Sequence, residues 1–227
     1  MIMKNPSNKE FKKKFENIAE NYNTISNPYA IERRRESLHV QNVDLILEVG
    51  AATGIISESF ITKKICTDIS FHMCKQAKIN NDNIICCDAE LLPFKKNTFD
   101  CIISAEMIYY LQYPEKFIIY SRQILKQNGQ FFISMTNSEM AISDKIRSKL
   151  RIIGLQKMYF DDGLKKFMKL TDLKTLLENN GFKIQSIKKQ IIFPIKAFDR
   201  LNRILEKTFL NKFAIFIIVK AISSKEY

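Results

Sequence analysis

The sequence predicts an α/β protein: one mostly parallel sheet with helices on both faces. Three observations carry that reading. Oily segments of strand length alternate with segments of helix length from Leu45 to Met135. The strands are apolar throughout, as in a sheet covered from two sides. Their C-terminal ends carry glycines, acids and a serine in place of further apolar residues. With 46% hydrophobic and 26% charged residues, the composition is that of a globular chain, and 227 residues suit a single domain.

The elements follow in order. In "EFKKKFENIAENYN", Phe11, Phe15, Ile18, Ala19 and Tyr22 share one helical face, with lysines and acids opposite. Pro28 suits the start of a second helix running through Ile31 toward Val40. "LILEVG" reads as strand one, "GIISESFI" as a short helix and "KKICTDI" as strand two. "SFHMCKQAKI" reads as a helix with Ser70 as its N-cap. "NIICCDA" and "FDCIISA" are strands three and four. "PEKFIIYSRQILKQNG" is a helix opened by Pro114 and closed at Asn128-Gly129, and "QFFISM" is strand five.

After Met135 the pattern changes. "SDKIRSKLRIIG" reads as a basic helix, "LTDLKTLLENNGF" as a helix ending at Asn180-Gly181, and "KIQSIKKQIIF" as a strand. "KAFDRLNRILEKTF" predicts an amphipathic helix, with Phe198, Leu201, Leu205 and Phe209 opposite Lys196, Arg200, Arg203 and Lys207. "FAIFIIVKAI" is the last strand, which brings the total to seven. The chain thus divides into a helical cover (1–43), a core (44–136), an insertion (137–170) and a C-terminal part (171–227), all within one domain.

Charge is unevenly spread. Of 36 Lys/Arg and 24 Asp/Glu, 17 and 7 fall between Asp144 and Lys212, so the excess of +12 sits mainly in the C-terminal third. A solvated lysine-rich face is the plain reading, and an acidic or phosphate-bearing partner the alternative. The apolar run "FAIFIIV" is too short to span a bilayer. "MIMKNPSNKE" lacks the apolar core of a signal peptide, so a cytoplasmic protein is expected. The five cysteines show no Cys-x-x-Cys spacing. Cys86 and Cys87, within an apolar run, read as buried free thiols, and no metal-ligand cluster is evident.

In open parallel sheets, ligands bind beyond the carboxyl ends of the strands. Strand one ends in Glu48-Val49-Gly50 and then Ala51 to Gly54; strand two ends in Asp68, strand three in Asp88, and strand four near Ser104. Buried carboxylates are costly unless something pairs with them, and ligand hydroxyls or an amine would. Asp68 follows Gly50 at a distance typical of an acid that grips ribose hydroxyls.

These residues resemble a known family. "LILEVGAATG", "ICTDISFHM", "CCDAELLPF" and "FDCIISAEMIYYL" occur in the order seen in class I S-adenosylmethionine-dependent methyltransferases. They look most like the type 11 group, which includes quinone and malonyl-carrier-protein methyltransferases. The resemblance implies a Rossmann-like, seven-stranded sheet whose C-terminal strand is antiparallel, under an N-terminal helical cover. It implies S-adenosylmethionine as cofactor, with Glu48 facing the methionine portion directly or through water, and Gly50 and Gly54 letting the loop approach. Asp68 would accept from the ribose hydroxyls, with Ile69 and Met73 beside the adenine. Asp88 and the Ala89 amide would hold the adenine edge, Ser104 would lie near the methionine carbons, and Tyr22 would cover the sulfonium. The family loop reads Gly-x-Gly-x-Gly, but Ala52 stands at its middle position; a left-handed backbone there costs alanine about 1–2 kcal/mol.

Glu106, Tyr109 and Tyr110 are candidates for a catalytic base by position after strand four. The cover and insertion combine apolar residues with lysines, which suggests a small or lipid-like acceptor, with an anionic one accommodated. "SAEMIYY" lacks the Asn/Asp-Pro-Pro-Tyr/Phe signature of base-nitrogen methylation, which disfavours nucleic acid. The rivals are an RNA or protein methyltransferase and a non-catalytic cofactor-binding module docking an acidic partner. A nicotinamide oxidoreductase lacks its Gly-x-Gly-x-x-Gly turn and its Tyr-x-x-x-Lys.

Overall fold

The computed structural model describes residues 8–81, 83–137 and 168–224. The predicted basic helix from Ser143 to Gly154 lies outside them. The cover consists of α1 (Asn8–Ile18), a single turn α2 (Tyr22–Ile25) and α3 (Pro28–Ser37). Pro28 opens α3 because Asn27 caps it: the Asn27 side chain accepts from Ala30 N at 3.1 Å.

The strands are β1 (Leu45–Val49), β2 (Lys63–Asp68), β3 (Ile84–Cys86), β4 (Phe99–Ala105), β5 (Leu125–Thr136), β6 (Phe182–Gln190) and β7 (Phe216–Ser223). They form one sheet in the order β3-β2-β1-β4-β5-β7-β6. All pair in parallel except β7, which runs antiparallel to both β5 and β6. The seven-stranded, Rossmann-like arrangement expected from the sequence is therefore the observed one.

Between the strands stand α4 (Phe71–Ala77), α5 (Pro114–Ile124), α6 (Leu170–Asn179) and α7 (Asp199–Leu205). Ser70 caps α4 as expected, its Oγ accepting from Met73 N. Side chains alternate across the sheet, so each face has its own core. On one, Phe117 and Ile118 of α5 and Leu173 and Leu177 of α6 pack on Leu47, Val49, Ile102 and Phe131. On the other, Ile31 and Leu38 meet Ile46, Cys101, Ile103 and Phe132.

Four expectations need correction. The segment Gly54–Ile61 makes only a 3₁₀ turn at Ser57–Ser59 in place of a helix. Its carbonyls are taken by cations: Arg35 holds Ile55 O, and Lys64 Nζ donates to Ser57 O and Phe60 O. The helix from Pro114 ends at Ile124, not at Asn128-Gly129. The turn before β4 takes its last carbonyls, with Asn97 N and Thr98 N donating to Gln123 O and Ile124 O. Cys86 is exposed because β3 is an edge strand, although all five thiols are free. The fourth correction concerns α7. The single helix expected from Lys196 to Phe209 is shortened to Asp199–Leu205 and flanked by 3₁₀ turns; Leu201, Ile204 and the preceding Phe198 are exposed, while Leu205 is half-buried and Asn202 fully buried.

Candidate active site

β1 neighbours β2 on one side and β4 on the other, so the chain leaves the sheet in opposite directions there and a crevice opens beyond the strand ends. The crevice is a cleft with about 1380 Å³ of empty space, its open mouth included. Tyr22, Gly50, Ala52, Asp68, Ile69, Asp88, Ala89, Glu106, Tyr109 and Tyr110 all line it. Glu48, Gly54, Met73 and Ser104 do not.

The loop after β1 is built from alternating left-handed residues: Gly50 at φ +71°, Ala52 at +49° and Gly54 at +75°. A Cβ at Gly50 would overlap the Met107 side chain. Ala52 carries its methyl in the strained conformation and packs it among Ala19, Met73, Phe15, Ile18 and Tyr22. That contact offsets part of the roughly 1–2 kcal/mol of strain.

Asp68 fastens the loop to β2. One carboxylate oxygen accepts from Ala52 N at 2.8 Å and the other from Ser70 N at 2.9 Å. Burial pushes its pKa up to about 6 against these hydrogen bonds, so it is ionised at neutral pH. Each oxygen keeps a lone pair for a further donor. Asp88 starts the turn after β3, accepting from Glu90 N at 2.9 Å.

Glu48 lies behind this wall. It is 1% exposed, and its carboxylate accepts from Ser57 N at 3.2 Å, with the Cys66 thiol at 3.8 Å. Burial pushes its pKa up to about 7. Met73 sits beneath Ala52, and Gly54 stands against the Asn81 amide. Ser104 is 1% exposed, and its hydroxyl has no hydrogen-bond partner among the described residues.

At the far end, Glu106 leaves β4 with φ +56° and collects three hydroxyls. Tyr109 OH donates at 2.8 Å, Ser134 Oγ at 2.9 Å and Thr136 Oγ1 at 2.8 Å. The Arg34 Nε lies 4.0 Å from the same carboxylate, and the Arg34 guanidinium stacks 4.4 Å from the Phe216 ring centre. Arg34 lines the cleft, and its buried Nε has no hydrogen-bond partner among the described residues. Burial raises the phenol pKa of Tyr22 to about 12, and it also pushes those of Tyr109 and Tyr110 well above the ordinary phenol value. All three phenols are therefore neutral at physiological pH. Phe11 and Phe15 of α1 close the cleft edge-on to Tyr110, with ring centres 5.1 and 5.2 Å apart. Thr53 Oγ1 donates to Asn23 at 2.6 Å and pins the cover to the loop.

Sequence reasoning missed Arg34 and Phe216. A signal existed for the first: Ile31, Arg34 and Leu38 fall on one helical face, and both apolar neighbours are buried on the sheet.

Fold and cleft together define an α/β protein with a nucleotide-type pocket at its strand switch. Residues 47–133, from β1 to β5, match the methyltransferase domain family of type 11. Over that stretch, less than half of the chain, the sequence is similar to a methyltransferase domain. Among relatives, it is 28% identical to the uncharacterized protein MJ1123 of Methanocaldococcus jannaschii over 159 residues, 70% of this chain and 72% of that one. It is 27% identical over 150 residues to the mitochondrial arginine-hydroxylase NDUFAF5 of Danio rerio, 63% of this chain but only 46% of that protein. In structure it is similar to a chain of the Haloferax volcanii complex between the Trm112 methyltransferase activator and a methyltransferase. The TM-score there is 0.70 at 14% identity, covering 95% of this chain and 98% of the other, a likeness of fold.

Proposed function

We propose that the protein transfers a methyl group from S-adenosylmethionine to a small or lipid-like acceptor that enters the cleft as an anion. The cleft residues fit the cofactor. Asp68 has lone pairs to spare for two ribose hydroxyls. Ile69 gives an apolar side for the adenine, with Asp88 and the Ala89 amide at its edge. The loop Gly50–Ala52 takes the amino-acid end, and Tyr22 covers the sulfur. Glu48 acts from behind the loop, holding Ser57, and Gly54, Met73 and Ser104 support that wall.

When bound, the cofactor supplies a methyl on a cationic sulfur that departs as a neutral thioether without acid assistance. The chain therefore has to align the acceptor and exclude water. Glu106 already accepts three hydroxyl hydrogen bonds, which fix it as a rigid anchor. The tyrosines, held neutral by burial, orient by hydrogen bonding. An acceptor that arrives deprotonated needs no base, and among the described residues Arg34 is the cation that lines the cleft to hold it. The observation that carries this reading is Arg34 on the cleft wall beside a Glu106 held by three hydroxyls, among aromatic side chains.

The test is calorimetry with S-adenosylhomocysteine, followed by transfer of a radiolabelled methyl to a panel of carboxylates, amines and phenols. Binding and labelling of carboxylates, with a raised KM in Arg34→Gln, is expected. Absence of binding, or labelling of amines alone, overturns it.

A further inference from the structure

We propose that the segment Phe193–Phe213 is a docking face for an anionic lipid bilayer. Helix α7 sits in the fold with its apolar face outward. Phe198, Leu201 and Ile204 are 42%, 40% and 56% exposed, and Phe193, Phe209 and Phe213 extend the surface at 40%, 77% and 44%. Single exposed apolar residues are ordinary, but this many from successive turns of one segment mark an interaction surface.

The reversed orientation is built in. Asn202, the inward residue, donates to Tyr29 OH at 2.9 Å and Phe193 O at 2.8 Å. Its carbonyl oxygen accepts from Ile192 N and Phe193 N at 3.0 and 2.9 Å. Those bonds satisfy a buried amide completely, so turning α7 over would strand them.

Charge selects the occupant. Glu206 is engaged toward the protein, with Arg33 and Ile191 N; Asp199 bonds Tyr29 and, on the exposed side, Arg203; Lys196 and Arg203 pair with Glu32 and Glu36. Among the described residues, no carboxylate pairs with Arg200 or Lys207, and Lys212 lies over the Phe213 ring at 5.0 Å. The surface is thus apolar and positive, the combination that seats at the headgroup boundary of anionic lipid. A symmetric pairing with a second copy would set these cations against themselves. The face also adjoins the cleft, because Asn27, on the cleft wall, donates to Pro194 O at 3.1 Å. Docking would bring the cleft mouth beside the lipid. The docking does not depend on what the cleft does.

Flotation of the full chain with phosphatidylcholine vesicles, with and without phosphatidylglycerol, tests the idea. The wild type is expected to float with the phosphatidylglycerol vesicles and to do so less as salt is raised. Leu201→Gln with Ile204→Gln, both at exposed positions, should lose at least about tenfold in partitioning. Arg200→Gln with Lys207→Gln should lose roughly tenfold on anionic vesicles. Unchanged thermal melting confirms that the variants are folded. A wild type that stays with the pellet overturns the proposal, as do variants that float equally well. So does a wild type that forms a dimer or an acidic-protein complex lost in the variants while flotation is unaffected.

Discussion

Replacing Glu48 by glutamine is expected to stabilise the protein at neutral and alkaline pH. The carboxyl is buried under Ser57, whose amide and hydroxyl hold it beside a distant thiol, and burial pushes its pKa from 4.5 to about 7. A folded-state pKa above the unfolded one means that the native protein holds the proton more tightly. Stability is then greatest below the unfolded value and falls as pH rises through the interval from 4.5 to about 7. At about 1.4 kcal/mol per pH unit, the full loss is about 3 kcal/mol, reached near pH 8. Glutamine keeps an acceptor for Ser57 N and carries no charge to desolvate. Urea denaturation from pH 4 to pH 8 should give curves that coincide at the acid end and separate by up to about 3 kcal/mol at the alkaline end. Parallel curves would show that the carboxyl titrates alike folded and unfolded. Affinity for S-adenosylhomocysteine should stay within a few-fold, because the carboxyl is off the cleft wall. A large loss would return Glu48 to the site.

Asp68→Ala should weaken S-adenosylhomocysteine by about 1.5–3 kcal/mol in calorimetry, and unchanged affinity removes the residue from the site. In the wild type the same affinity should decline as pH falls through about 6, where Asp68 protonates, and Asp68→Asn should abolish that dependence. Gly50→Ala should destabilise by more than about 2 kcal/mol, combining left-handed strain with overlap on Met107; adding Met107→Ala should recover part of it, and a neutral single variant would refute the packing argument. Asn202→Leu should cost roughly 3 kcal/mol or more in chemical denaturation, since several buried groups lose their partner, and a silent substitution would mean that α7 can turn over.

The parts readable in the sequence were those governed by local rules. Strand length and apolarity announced the sheet, and Ser70 announced the start of α4. Gly50, Asp68 and Asp88 could be brought together because a parallel sheet sends every strand end to the same edge. What escaped depends on partners distant in sequence. Arg35 and Lys64 unmake the helix after β1 by occupying its carbonyls. Glu48 turns away from the cleft because Ser57 and Cys66 wait behind it. Arg34 becomes a cleft residue only when Phe216, from the last strand, arrives beneath it. Periodicity found the amphipathic character of α7 but had no way to say which side faced in; the amide of Asn202 decided that.

The position of β7 has a consequence for how the molecule is made. β7 follows both of its partners in the chain yet lies inside the sheet, between β5 and β6. Until it emerges from the ribosome, both of those neighbours present raw backbone, and α3 has no ring for Arg34 to rest on. Pairing across so long a stretch of chain is slow, and open edges of this kind invite association with other nascent chains. Arrival of β7 therefore completes the sheet and covers both open edges in one event, so a chain truncated before Phe216 should be insoluble.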